Sequence, residues 1–250
     1  MIKVSDIYSF IDSVAPYDTQ ADFDNSGYMI GDKNAEVKKI LVALDLTVKV
    51  LEEAKQNGAD LIVTHHPVIF QPLHSVMCNT VVFDAIQSGV SVISAHTNLD
   101  IAENGVNATL IRTLGFNNYV NCESEPFLKI VETEPISSDE LVKLVSEKIN
   151  KHLQFNSVKK TVKKIGFCSG AGSPCLYASI KEGADAFITG EAKYNMFGDA
   201  DESGILLIAA GHYETENIIV PVLADMLRKQ FPETEITESK EKNPVNYFLG

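Results

Sequence analysis

Basic side chains are scarce: 21 Lys and Arg stand against 34 Asp and Glu, a net charge of −13 over 250 residues. Nucleic-acid backbones are held by clustered Lys and Arg, so this balance excludes general nucleic-acid binding. The one basic cluster, Lys159-Lys160-Thr161-Val162-Lys163-Lys164, reads as a solvated strand or loop edge. Cysteine is sparse as well. Cys78, Cys122, Cys168 and Cys175 form no C-x-x-C pair, which argues against a disulfide framework and for a reduced compartment, with the cytoplasm as the expected location. No apolar run reaches the roughly 18 residues needed to cross a bilayer. The opening Met1-Ile2-Lys3-Val4-Ser5-Asp6 lacks the apolar stretch of an export signal, so no membrane partner is expected. No G-x-x-x-x-G-K-[ST] loop is present to cradle phosphates.

What the chain does have is 45% hydrophobic residues in short runs that alternate with helical patterns, enough for one large core or two smaller ones. Ser5 is placed to cap a first helix ending at Pro16, and Thr47 a second one. Asp22-Phe23-Asp24-Asn25-Ser26-Gly27 is an acidic turn between them. Strands are expected near 40–46, 61–64 and 90–95, with helices between, which implies parallel strands whose following loops leave the same sheet edge. A shift in composition at 121–126 suggests a boundary between residues 1–124 and 125–250. The second half opens with a strand near 127–131, and Ser137 with Glu140 forms a capping box. Strands near 165–168, 186–189 and 205–209 follow, and 245–248 would close a sheet edge. The expected fold is α/β: two similar lobes with mixed, largely parallel sheets and a site between them. The halves share a logic, but no register of identical residues establishes a repeat.

Three strand ends carry the chemistry. Asp60-Leu61-Ile62-Val63-Thr64 runs into His65-His66-Pro67, and the proline holds the pair on an extended loop at the carboxyl end of a strand, where open α/β sheets bind ligands. The strand near 90–95 ends in His96-Thr97-Asn98-Leu99-Asp100. The last strand ends in Gly211-His212-Tyr213-Glu214-Thr215-Glu216, where a spacing of four puts His212 and Glu216 on one helix face. An isolated His-His pair more often caps a carbonyl and faces solvent. Here, however, four of the six histidines lie at these junctions, and His74 follows in the loop after the first. His65, His66, Asp100, His212 and Glu216 are enough to give two divalent metal ions three protein ligands each, if one carboxylate bridges. Adjacent histidines diverge, so His65 would join His212 on one ion and His66 would join Asp100 on the other, with Glu216 between. Nitrogen and oxygen donors without thiolate suit Zn, Fe, Mn, Ni or Co and do not choose among them. His96 and Asp45 are candidates for proton transfer or for orienting ligands, and Glu216 and His96 for catalytic roles.

The stretches Thr64 to Phe70, Ser94 to Asp100, Thr189-Gly190-Glu191 and Gly211 to Glu216 together resemble the dinuclear metal-centre family of GTP cyclohydrolase 1 type 2 homologs, over nearly the whole chain. The chain resembles the short form of that family, with Phe23 where many members have Trp. The resemblance implies the same five metal residues, a toroidal homohexamer with its metal sites facing an internal cavity, and opening of a nucleotide ring. Two metals can activate water for attack on a phosphoester, amide or cyclic amidine. The leading expectation is therefore a metal-dependent hydrolase acting on a nucleotide or related small molecule through a metal-bridged water. Its alternative is a non-catalytic metal-binding hexamer with a regulatory or interaction role. The roles of the loops at 22–27 and 169–173 stay open at this stage.

Overall fold

The computed structural model describes residues 2–248. The chain is mixed α/β, and its contacts divide it into two units. One runs to Gly105 and resumes over Ile219–Lys242; the other takes Val106–Ile218 and the chain from Asn243 onward. The division falls elsewhere than the compositional shift at 121–126. The reason is packing: Leu110 and Ile111 of helix Val106–Thr113 are buried in one core with Val131, Phe167 and Ile188 of the second unit. Helix Ile219–Gln230 instead covers strands Glu235–Glu238 and Lys39–Ala43 of the first. No helix among the described residues is long and apolar enough to cross a membrane.

The first unit is built on a five-stranded sheet in the order Glu235–Glu238, Lys39–Ala43, Leu61–Thr64, Ser91–Ser94, Gly27–Ile30. The first four are parallel, and Gly27–Ile30 joins antiparallel. Every residue of Leu61–Thr64 and of Ser91–Ser94 is buried, as expected for strands covered on both faces. Helix Val48–Asn57 is capped by Thr47 Oγ1, which accepts from Val50 N at 3.2 Å, and it ends on Gly58 in the left-handed region. Ser5 does not cap the first helix. That helix starts at Val4, and the Asp6 carboxylate reaches back to accept from Lys3 N at 2.7 Å. The closing edge strand is Glu235–Glu238, not 245–248, which form no strand; its Ile236 is buried where it pairs beside Ile40.

The second unit holds a six-stranded sheet: Val120–Asn121, Lys129–Ser137, Thr161–Cys168, Ala186–Thr189, Leu206–Ala209, Gln154–Phe155. Its three central strands are parallel and the outer ones antiparallel. The capping box at Ser137 and Glu140 is formed, with Glu140 N on Ser137 Oγ at 3.3 Å and Ser137 N on Glu140 Oε2 at 3.0 Å.

A local repeat links the two sheets. Gly58-Ala59-Asp60 leads into strand Leu61–Thr64, and Gly183-Ala184-Asp185 leads into Ala186–Thr189. Asp60 Oδ2 accepts from Lys38 N and Lys39 N at 2.7 and 2.9 Å. Asp185 Oδ2 accepts from Lys163 N and Lys164 N at 2.8 and 3.1 Å. Each aspartate thus clamps its strand to the preceding parallel neighbour and fixes the register there.

Candidate metal centre

Register decides which loops meet. In the first unit Ala43 pairs with Thr64, and Thr64 with Ser94. The loops after these three strands therefore leave one sheet edge side by side, carrying Asp45, then His65 and His66, then His96. Ring nitrogens of the three histidines all lie within 4.8 Å of one another, a group that could hold a metal ion. The ring centroids are 4.9 to 5.4 Å apart.

Each imidazole is oriented through Nδ1. His65 is fully buried, and its Nδ1 lies 2.8 Å from the carbonyl of Ala95; a carbonyl only accepts, so Nδ1 carries the proton and Nε2 the lone pair. His66 Nδ1 meets Asp45 Oδ1 at 2.8 Å, and His96 Nδ1 meets Asp24 Oδ1 at 2.7 Å. This is the arrangement that fixes tautomer and ring angle in metal-ligating histidines. Asp100, on helix Thr97–Ile101, presents Oδ1 at 3.6 Å from His65 Nε2. Two ligand atoms at about 2.1 Å from one tetrahedral ion stand about 3.4 Å apart. The 3.6 Å separation of Asp100 Oδ1 from His65 Nε2 is close to that figure.

The acidic turn at 22–27 serves this cluster. Asp24 takes the His96 ring on one oxygen and Thr97 N, at 3.0 Å, and the Thr97 hydroxyl on the other. Burial alone would raise its pKa, but the hydrogen bonds from His96 and Thr97 hold the carboxyl well below the usual carboxylate range. Asp24 does not stand out in the sequence as a site residue. Its one signal is the Asx-rich turn Asp24-Asn25-Ser26-Gly27, whose Ser26 Oγ also accepts from His96 N at 3.0 Å. Behind Asp45, Glu241 accepts from Asp45 N at 3.2 Å, and burial pushes the Glu241 carboxyl above its ordinary range.

The second unit repeats the device. Cys168 pairs with Thr189, and Thr189 with Ala209, so the loops at 169–172, 190–191 and 211–212 emerge together. His212 starts helix His212–Glu216, and its Nε2 lies 2.9 Å from Glu216 Oε2, so the expected pair on one helix face is formed. Its Nδ1 lies 3.3 Å from Glu191 Oε1. Counted from the two clamping aspartates, Glu191 occupies the place of His66, so the carboxylate orienting His212 sits at the strand end that carries an imidazole in the first unit. The loop after Cys168 is seated against this pair. A Cβ at Gly170, which has φ +55°, would stand 1.8 Å from Glu216 Oε1, and one at Gly190 would stand 2.5 Å from Gly170 O. Gly170 N donates to Thr215 Oγ1 at 3.1 Å, and Ser169 N donates to Asn107 Oδ1 at 2.7 Å. The glycines at 170 and 190 let backbone approach a buried carboxylate. His74 stays on an exposed loop, and His152 stacks on Tyr247 with centroids 4.8 Å apart.

Comparison with known proteins places the chain in a family. A GTP cyclohydrolase 1 type 2 homolog from Clostridium perfringens is 32% identical to this chain, over 99% of this chain and 100% of its own length. The one from Campylobacter jejuni is 34% identical over the same shares. A crystal structure of a hypothetical protein from Staphylococcus aureus matches with a TM-score of 0.89 at 25% identity, covering 98% of this chain and 99% of that one. The model of the Duf34/NIF3 (NGG1p interacting factor 3) family matches residues 2–244, and the chain belongs to that family.

Proposed function

We propose that His65, His66, Asp100, His212 and Glu216 together hold two divalent cations, and that the protein is a metal-dependent hydrolase acting on a nucleotide or related small molecule. The observation that carries this reading is that His65, His66 and His96 are each bound to an oxygen through Nδ1 while their ring nitrogens gather within 4.8 Å. Hydrogen bonding alone would not require three imidazoles to converge at one sheet edge. The donor set of imidazole nitrogen and carboxylate oxygen fits Zn, Fe, Mn, Ni or Co.

Cations bound there supply Lewis acidity and a water that is nucleophilic at neutral pH. The chain's own residues do the rest. Asp45 and Glu191 fix the angles of His66 and His212, and His65 is fixed by the Ala95 carbonyl. His96, held by Asp24, stands beside the other two rings without belonging to the five ligands, which suits a group that accepts a proton from water or returns it to a leaving group. A relative from Helicobacter pylori, 31% identical, carries the name GTP cyclohydrolase 1 type 2, so GTP ring opening is the first reaction to test. The same reading includes a toroidal homohexamer, for which light scattering would give six times the 27.4 kDa chain mass.

The test combines elemental analysis with turnover. Protein purified in metal-replete medium should hold close to two ions per chain, and Glu216→Gln should lose both metal and hydrolysis of GTP or a related substrate. Metal content near zero would end the proposal. Melting of the assembly by chelator, with no activity found or lost, would favour the non-catalytic alternative.

A further inference from the structure

Cys168 and Cys175 stand at the two ends of the loop whose Gly170 lies against Glu216. Cys168 ends strand Thr161–Cys168, and Cys175 ends the short turn Ser173–Cys175 that leads into helix Leu176–Lys181. Both are buried, and the Cys175 thiol donates to Cys168 Sγ at 3.4 Å. The chain is folded back to bring them together. Cys175 N donates to the Gly172 carbonyl at 3.0 Å, and a Cβ at Gly172 would stand 2.4 Å from Cys168 Sγ, so only a residue without a side chain lets the turn close over the sulfur. The other cysteines are placed differently. Cys78 is exposed, and Cys122 Sγ lies 3.3 Å from Ser124 Oγ and donates to Glu182 Oε1 at 3.6 Å. A buried cysteine packs as a small hydrophobe, but packing alone does not require two sulfurs in contact across the base of one loop.

We propose that Cys168 and Cys175 are a redox modification site, which a hydroperoxide converts to a disulfide that ties off the loop at 169–174. One sulfur, as thiolate, takes an oxygen from hydrogen peroxide to give a sulfenic acid, and the hydroxide released picks up the proton lost from that thiol. The second sulfur then displaces the sulfenic hydroxyl, which leaves as water with the second thiol proton. Two thiols and one peroxide become one disulfide and two waters. A disulfide sets its sulfurs about 2.05 Å apart, so the two atoms approach by about 1.4 Å from their present contact, a distance that side-chain rotation supplies. Burial restricts the pair to oxidants close to water in size and leaves the neighbouring thiol as the partner of the sulfenic acid. The loop so closed is the one that meets the carboxylates: Gly170 N donates to Thr215 Oγ1 at 3.1 Å, and the Gly170 carbonyl accepts from Glu191 N at 2.9 Å. A cross-link from 168 to 175 suppresses local opening of that segment. Slower escape of a cation held by Glu216 follows from this and rests on the metal reading; the cross-link itself does not.

The experiment treats the folded full chain with hydrogen peroxide, alkylates the remaining thiols in denaturant, and identifies the peptides by mass spectrometry. The expected result is a mass lower by two hydrogens and a peptide pair joined through Cys168 and Cys175, both reversed by dithiothreitol. The joined pair should persist in Cys78→Ser and Cys122→Ser and vanish in Cys175→Ser. Hydrogen exchange of the loop at 169–174 should be slower in the oxidised protein, and zinc loaded beforehand should pass more slowly to a chelator. The proposal is overturned if Cys168 and Cys175 are still alkylated after peroxide has oxidised Cys78, if either one joins Cys78 or Cys122 instead, or if both advance to sulfinic acid unjoined. A joined pair that leaves the exchange of the loop unchanged overturns it too. A joined pair in protein that takes up no zinc would remove the metal reading and keep the redox site, and two zinc ions per chain with no joined pair would do the reverse.

Discussion

Gly170 and Glu216 are so close that a single methyl group on the glycine would stand 1.8 Å from the carboxylate Oε1, on a backbone with φ +55°. Gly170→Ala therefore adds both left-handed strain and a clash with a buried side chain. We expect a loss of about 1–3 kcal/mol in urea unfolding and weaker metal binding. A wild-type urea midpoint for this variant would mean that the loop moves freely away from Glu216.

Carboxylates behind the histidines should matter without touching a metal. Asp45→Ala frees the His66 ring and Glu191→Gln weakens the hold on His212. Each should lower metal affinity by about 10- to 100-fold while the fold stays intact by circular dichroism. Glu191 is the more exposed of the pair, so its effect should be the smaller. Equal affinities in competition with a chromogenic chelator would refute this account of ring positioning.

Asp185 gives a pH dependence that does not involve the metal site. Burial pushes its carboxyl up, but the backbone N–H of Lys163, the Lys160 ammonium and the N–H of Lys164 together hold it below its ordinary value. A depressed folded pKa contributes stability above the unfolded value of about 3.9 and loses it as pH falls through the folded one. Asp185→Asn should cost about 1–2 kcal/mol at pH 6. The gap between variant and wild-type denaturation curves should narrow as the pH is lowered below about 4. A gap independent of pH would show that the charge of Asp185 is not what clamps the strand.

Metal removal should be visible as stability. A cation bound only by the folded chain, at 100 times its dissociation constant, contributes about 2.7 kcal/mol. Scanning calorimetry with and without chelator should show a lower melting temperature for the stripped protein, restored by adding one of the candidate metals. His65→Ala should keep at most part of the metal-dependent shift; a full wild-type shift retained in that variant would place the bound ions elsewhere.

Much of the first unit could be read from the chain because its signals are local. Thr47 before an apolar helix, the short runs 61–64 and 91–94, and Pro67 after two histidines each act within a few residues. Parallel order then followed from strand alternating with helix. The supports of the site were not legible in the same way. Asp24 meets His96 across 72 positions and Asn25 meets Ile69 across 44, so the pairs exist only once the sheet has aligned three loop bases. The matching aspartates were legible in principle, since Gly-Ala-Asp stands at both 58–60 and 183–185, but three common residues carry little weight until both carboxylates are seen clamping a strand. The clearest error was the ending: 245–248 have the composition of a strand, yet strand 235–238 already occupies the edge beside 39–43.

That edge has a consequence for how the protein is made. The sheet that carries His65 and His66 receives its outermost strand from Glu235–Glu238, far along the chain from Lys39–Ala43. While the ribosome is still elongating, Lys39–Ala43 is a bare parallel edge able to template pairing with other nascent chains. That exposure ends only once residues 235–238 have been made, so early termination anywhere ahead of residue 235 would release a polypeptide prone to clumping rather than a smaller working protein.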